Sequence, residues 1–283
     1  MKNERILNAL REKKVLTACH RGAHGGNIIQ NTIESCLCAY AQGADIAEID
    51  AVCSIDGEYF VFHDTEECVS FGFLNNLREL TAEQIDGLRL INKYGCYTSQ
   101  RVPRLAELLR AIKGKGLVNL DRCWGDDFSY VKGALDIIER EGMTDSVIFK
   151  SATNKLILDG LRSCGSNIPF MGIVNSVADV ETIEKSGVNV VGYELLFAED
   201  SAEILSVIPE LQKKQYLIWV NSIVLNDTVN LSGGHDDTRA LIEDKDANWG
   251  WLVDRGFNAI QTDYPQSLSD YLAQKLRKER SKV

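Results

Sequence analysis

The strongest constraint on this chain is a rhythm. Short β-rich runs recur, and most are separated by stretches of helical period. The runs are Val15–Ala18, Ile46–Val52, Phe60–Phe62, Leu117–Leu120, Val147–Phe149, Phe170–Val174, Val188–Tyr193, Tyr216–Val220 and Ala259–Thr262. Amphipathic stretches such as Asn31–Gln42, Leu105–Lys113, Tyr130–Glu141 and Ala178–Lys185 lie between them. Strands alternating with helices imply βαβ units and a parallel sheet, because parallel neighbours need a long crossover. Eight such units in 283 residues predict an α/β fold, the TIM (β/α)8 barrel. Phe60–Phe62 is then a short extension after strand two. The rhythm breaks twice. Residues 64–104 carry only short helical hints, with Leu80-Thr81-Ala82-Glu83 reading as a helix start, and predict a small cap inserted after strand two. Residues 221–250 are polar and Gly-rich around Ser232–Asp237 and predict a long loop after strand seven, a length that often carries function. No internal repeat, Pro-rich linker or low-complexity tract divides residues 1–283, so one barrel domain is expected.

Charge narrows the partners. A net charge of −10 argues against non-specific nucleic-acid or anionic-membrane binding, because phosphate backbones and acidic lipids repel such a surface. A local cationic pocket for one small phosphate is still allowed. No apolar stretch approaches the ~20 residues that a transmembrane helix needs. Residues 1–14 are polar and lack a signal-peptide core. The eight cysteines form no CxxC pair, and several sit in apolar runs. Reduced thiols and a cytoplasmic location are the expectation. No sequence feature sets an oligomeric state.

Chemistry in such a barrel gathers at the C-terminal ends of its strands. Strand one ends in His20-Arg21-Gly22, strand two contains Glu48-Ile49-Asp50, and the short extension ends in His63-Asp64. Strand three ends in Asp121-Arg122, strand four in Lys150, and Glu194 lies just past strand six. Glu48 and Asp50 are two apart, so on a strand they face the same side. With buried-looking flanks they imply a cation between them, because uncompensated buried charge is costly. Hard oxygen ligands favour Mg²⁺ or Ca²⁺ over Zn²⁺, and Asp121 is the candidate third ligand. His20 and His63 both end strands and have a near-neutral pKa suited to acid–base work. Arg21 is a candidate phosphate contact. Trp219, on strand seven, is a candidate substrate wall with barrel-core filler as the competing reading. His24, in a Gly-rich turn, and His235, in the long loop, read as structural. Phe71, Phe73 and Leu74 are the only apolar cap residues that could face a membrane, and a buried cap core is the preferred reading.

These residues fall into an ordered set. His20-Arg21-Gly22, Gln30-Asn31-Thr32, Gly43-Ala44-Asp45, Glu48-Ile49-Asp50, Asp56-Gly57 and His63-Asp64 resemble the motifs of the glycerophosphodiester phosphodiesterase family, in that family's order and at similar spacings. Leu80-Thr81, Val102–Leu109 and Thr262–Pro265 look like its later landmarks. The resemblance implies a TIM barrel with a small insertion. It implies hydrolysis of a glycerophosphodiester to glycerol phosphate and an alcohol, with His20 and His63 as the acid/base pair. Glu48 and Asp50 become ligands of one divalent cation, and Arg21 a phosphate contact. The implied route is attack by a neighbouring substrate hydroxyl, giving a cyclic phosphate that water opens.

Three departures stand out. The family's Glu-Asn-Thr is Gln30-Asn31-Thr32 here. Its Glu-x-Lys at the end of strand three is Asp121-Arg122-Cys123, so the lysine position holds an uncharged thiol. Lys150, on the adjacent strand, is therefore the candidate that restores a cation against the phosphate, and Glu194 could join the metal site in a similar shift. The competing readings are a related barrel phosphodiesterase acting on a lipid-like or sugar-phosphate diester, with a cyclic phosphate as final product, and a non-catalytic phosphate-ligand binder. Retention of both histidines and both inner carboxylates argues against the binder.

Overall fold

The structure, a computed structural model, describes residues 2–280 except 74, 126 and 227. Among the described residues nine strands form: β1 (Leu16–Cys19), β2 (Ile46–Cys53), β3 (Tyr59–Val61), β4 (Leu117–Asp121), β5 (Val147–Ala152), β6 (Phe170–Val174), β7 (Val190–Leu195), β8 (Leu217–Asn221) and β9 (Ala259–Thr262). Eight are parallel, in the order β1-β9-β8-β7-β6-β5-β4-β2, and the pairing of β1 with β2 closes the ring. This is the expected TIM barrel. The extension β3 pairs antiparallel with the upper part of β2, Ala51 opposite Val61.

The period-two alternation of each strand sorts its residues between two cores. Leu16, Ile46, Leu117, Ile148, Met171 and Trp219 fill the lower barrel, and Ile6 of the helix Glu4–Lys13 packs into the same cluster. Outward residues such as Ile49, Leu120 and Phe149 join the surrounding helices through Leu108, Leu109 and Ile138. Above the apolar floor the buried positions of the same strands turn polar: Glu48, Asp50, Asn119, Lys150, Asn221 and Gln261. On β7 the alternation is broken. Phe170 pairs with Val190 but Met171 with Gly192, so Val191 is an extra residue in the ladder. That bulge lets Val191 join the apolar floor while Glu194, three residues on, reaches Lys150.

Local signals start the helices. Thr32 caps Ile33–Ala41 in a reciprocal capping box with Ser35, and Asn154 and Ser176 cap Lys155–Ser163 and Val177–Ser186. Thr81 does the same for Ala82–Asp86, the helix start expected in the cap. Residues 64–104 also hold the helix Glu67–Phe71 and the 3₁₀ turn Leu77–Glu79. Their apolar side chains form a separate cluster with Val52, Phe60 and Phe62. Phe71 is buried there and Phe73 packs on it, as expected of a cap core; Leu74 lies outside the described residues.

The segment 221–250 differs from the expectation of one long loop. Asp236 accepts from the Arg239 N–H and starts a helix, Asp237–Ile242, and a π-helical turn, Asp246–Gly250, runs into the helix Trp251–Arg255. Ala240, Trp249 and Leu252 are buried, and this burial organises a segment whose polar composition masks its apolar contacts. Among the described residues, no helix is long and apolar enough to cross a membrane.

Candidate active site

The parallel register of β2 and β4 places Asp50 beside Asp121 and Glu48 beside Asn119. One oxygen from each of Glu48, Asp50 and Asp121 lies within 4.8 Å of the others. Glu48 and Asp50 are almost fully buried. Burial, and then the charge of Asp50, push the Glu48 carboxyl up to about 8. Counter-charges come from two sides. Lys150 Nζ is 2.8 Å from Asp121 Oδ2 and 2.8 Å from Glu194 Oε2, and Asn221 donates to the other Glu194 oxygen at 2.9 Å. Arg21 Nε is 3.4 Å from Asp50 Oδ2. Inner carboxylates thus outnumber the lysine and arginine that face them. The all-oxygen donor set fits a hard cation.

Arg21 is positioned by its backbone. It follows β1 in the left-handed region with φ 53°, and its N–H donates to Glu48 Oε2 at 2.8 Å. Its guanidinium reaches Gln30 Oε1 and Glu66 Oε1, each at 3.2 Å, while the buried Nε makes no hydrogen bond. The next residue must be glycine: Gly22 has φ 72°, and a Cβ there would sit 2.4 Å from Ser35 Oγ. Gln30 therefore contacts Arg21 as a neutral acceptor. Asn31 brackets Asp50, donating to its carboxylate at 2.9 Å and accepting from its N–H at 3.0 Å.

The two histidines arrive differently. His20 lies just past β1, its N–H on Thr262 O, and its Nδ1 is 2.9 Å from Asp263 Oδ1. His63 is reached by a return. Because β3 runs antiparallel to β2, the Phe62 N–H meets Asp50 O at 3.1 Å, which brings His63 back to the height of the carboxylates. Its Nδ1 faces the Asp64 carbonyl. Both partners are oxygen acceptors, so Nδ1 carries the proton in each neutral ring and Nε2 is the open position. No group among the described residues bonds either Nε2. Burial disfavours the His20 imidazolium, but the Asp263 hydrogen bond and the charges of Glu48 and Asp263 outweigh it and raise its pKa. Asp64 is clamped by Arg122 Nη2 at 3.0 Å and Arg78 Nη2 at 3.2 Å.

His20, Arg21, Glu48, Asp50 and Asp121 therefore converge at one end of the barrel, and the return of β3 brings His63 to the same level. Two candidates are enclosed by protein. Lys150, expected against the phosphate, is enclosed between Asp121 and Glu194 and over the Trp219 ring, 5.5 Å from its centroid. Its ammonium is met by Asp121 at the end of the adjacent β4 and by Glu194 of β7, two strands away across β6. Trp219, expected as a substrate contact, is 0% exposed and belongs to the apolar floor; its Nε1 donates to Asn221 and Gln261. Glu194 pairs with Lys150 and is not one of the three clustered carboxylates. His24 bonds Gly22 O, and His235 stacks on Trp251 at 3.9 Å and bonds Asp200. Asp263 was legible only as part of a motif; its contact with His20 spans 243 positions.

A family model described as a domain of unknown function matches residues 170–272. No curated protein matches the chain. Solved structures do. A glycerophosphoryl diester phosphodiesterase from Parabacteroides distasonis superposes with a TM-score of 0.74 at 18% identity, over 92% of this chain and 86% of that one. An Oleispira antarctica phosphodiesterase in complex with the product sn-glycerol-3-phosphate gives 0.67 at 19% identity, over 90% and 95%. The glycerophosphodiester phosphodiesterase of Thermotoga maritima gives 0.65 at 20% identity, over 91% and 98%. This chain shares their fold.

Proposed function

We propose that this chain is a metal-dependent phosphodiesterase that hydrolyses a glycerophosphodiester to glycerol phosphate and an alcohol. One observation carries the reading: three carboxylates cluster within 4.8 Å beside Arg21, with two imidazoles that each keep Nε2 open. The likeness in fold to phosphodiesterases, one of them holding sn-glycerol-3-phosphate, supports it. Glu48, Asp50 and Asp121 would hold one Mg²⁺ or Ca²⁺, which supplies positive charge for the non-bridging phosphate oxygens. Arg21 holds a further oxygen of the phosphate, with its side chain fixed by Gln30 and Glu66. One imidazole takes the proton of the attacking hydroxyl at Nε2. As the new P–O bond forms and the bond to the leaving oxygen breaks, the other imidazolium gives its proton to that oxygen. With a neighbouring substrate hydroxyl as nucleophile the first product is a cyclic phosphate. Water then opens it with the proton roles reversed.

The test is release of alcohol from a panel of glycerophosphodiesters, followed by phosphorus NMR. Turnover is expected with Mg²⁺ or Ca²⁺ and not in EDTA. His20→Ala and His63→Ala should each lower kcat by at least about 100-fold. Full turnover in EDTA would remove the metal from the reading. Binding of glycerol phosphate without turnover of any diester would leave a phosphate-ligand binder.

A further inference from the structure

The segment after β8 contributes a buried carboxylate that the reaction outlined above does not use. Asp237 opens the helix Asp237–Ile242 and is 2% exposed. Its Oδ2 accepts twice, from Thr262 Oγ1 at 2.8 Å and from the Asp263 N–H at 2.9 Å. Its Oδ1 accepts from the indole N–H of the fully buried Trp249 at 2.9 Å, and its own N–H donates to Ser222 O at 2.7 Å, just past β8. Asp237 is therefore held from both sides, and one of its oxygens grips two consecutive residues at the end of β9.

Those two residues are where the ladder stops. The last β9 residue is Thr262, and the Asp263 side chain is one-third exposed with His20 Nδ1 as its only side-chain partner among the described residues. Among the described residues that is the one hydrogen bond its carboxylate makes. Its backbone is restrained by Asp237, and the Tyr264 N–H closes on Thr262 Oγ1 at 2.9 Å. Contacts run in series from Trp249 through Asp237 and Asp263 to His20.

We propose that Asp237 is a positioning residue: it fixes the backbone of Thr262–Asp263 so that the Asp263 carboxylate holds the Nδ1–H of His20 and leaves Nε2 directed at the reacting oxygen. The proposal rests on the phosphodiesterase reading for its kinetic arm only. Partners that orient metal ligands are worth about 10–100-fold in affinity or activity, and the lower end of that scale is carried over to the orientation of His20. Asp237→Asn keeps the volume but leaves one acceptor oxygen where three donors converge, so the contacts that tie 262–263 to Trp249 cannot all be kept.

The experiment is a double-mutant cycle with Asp237→Asn and Asp263→Asn, read by kcat and KM on a hydrolysed glycerophosphodiester and by ¹⁵N shifts of the His20 ring. Asp237→Asn is expected to lower kcat about 10-fold with KM changed less than about 2-fold. In the Asp263→Asn background it is expected to lower kcat no further, because its effect passes through Asp263. The His20 Nδ1 and Nε2 shifts should move from one tautomer towards a mixture in either single variant. An equal loss of kcat in both backgrounds, or an unchanged His20 tautomer, would overturn the proposal. If Asp237→Asn does not fold, Thr262→Val removes one of the two bonds to Oδ2 and is judged by the same criteria. The ring shifts need no turnover: an inactive wild-type protein whose His20 tautomer still responds to Asp237→Asn would defeat the phosphodiesterase reading and leave Asp237 as the support of His20.

Discussion

Lys150 Nζ lies 2.8 Å from Asp121 Oδ2, and Asp121 is at the same time one of the three clustered carboxylates. One carboxylate thus belongs both to the cluster and to the Lys150 ion pair. Burial works against the ammonium, but Asp121, Glu194 and Glu48 hold its pKa above the usual lysine range. Lys150→Met leaves Asp121 and Glu194 without their shared counter-ion. A loss of about 3–5 kcal/mol is expected from urea unfolding in EDTA, the scale for breaking a buried pair. Lys150→Met/Glu194→Gln should recover part of it. A loss below about 1 kcal/mol would mean that the pair behaves as a surface bridge.

The cation site should titrate with its ligand. Glu48 is neutral below its pKa of about 8 and must lose its proton to coordinate a metal. Cation binding near pH 7 is then expected to release about one proton, and affinity to rise with pH until Glu48 is ionised. Calorimetry in buffers of different ionisation enthalpy reads the proton count directly. Zero release near pH 7 would show that Glu48 is already charged.

Asp237 predicts a stability trend of defined sign. Burial pushes it up to about 6 against the opposing bonds from Asp263, Thr262 and Trp249. In the unfolded chain an aspartate titrates near ~3.9. The folded state thus binds this proton at the higher pH. Its ionised carboxylate lowers stability above about pH 6, and that cost is relieved as pH falls towards about 4. A shift of about 2 units corresponds to ~3 kcal/mol. Relative to Asp237→Asn, which cannot titrate, the wild type should gain urea resistance between about pH 7 and pH 4.5. A constant difference across that range would contradict the shift.

Trp219 separates a floor from a wall. Trp219→Phe removes the N–H that bonds Asn221 and Gln261 and leaves those acceptors buried. A cost of about 1–3 kcal/mol in stability is expected, with KM for a hydrolysed diester unchanged. A several-fold rise in KM at unchanged stability would restore the indole to the substrate wall.

Much of this protein was legible in its residues. Period-two alternation alone put Glu48 and Asp50 on one side of a strand, and the strand–helix rhythm alone required parallel neighbours, because both follow from local backbone geometry. Capping signals such as Thr81 likewise marked a helix before any contact was known. The polar segment after β8 misled, because Asp237 and Trp249 earn their burial from contacts with β8 and β9 rather than from their neighbours in sequence. Depth and partnership were decided only in three dimensions. Lys150 and Trp219 sit on the expected strands, but which layer of the barrel each occupies depends on the register of adjacent strands. Asp121 meets Asp50 through that same register. His63 returns to the level of the carboxylates only because β3 turns back along β2, and Asp263 reaches His20 only because the ring closes β9 onto β1. A chain dictates the direction of each side chain over a few residues. Which distant side chain it meets is settled by how the strands pair around the closed sheet.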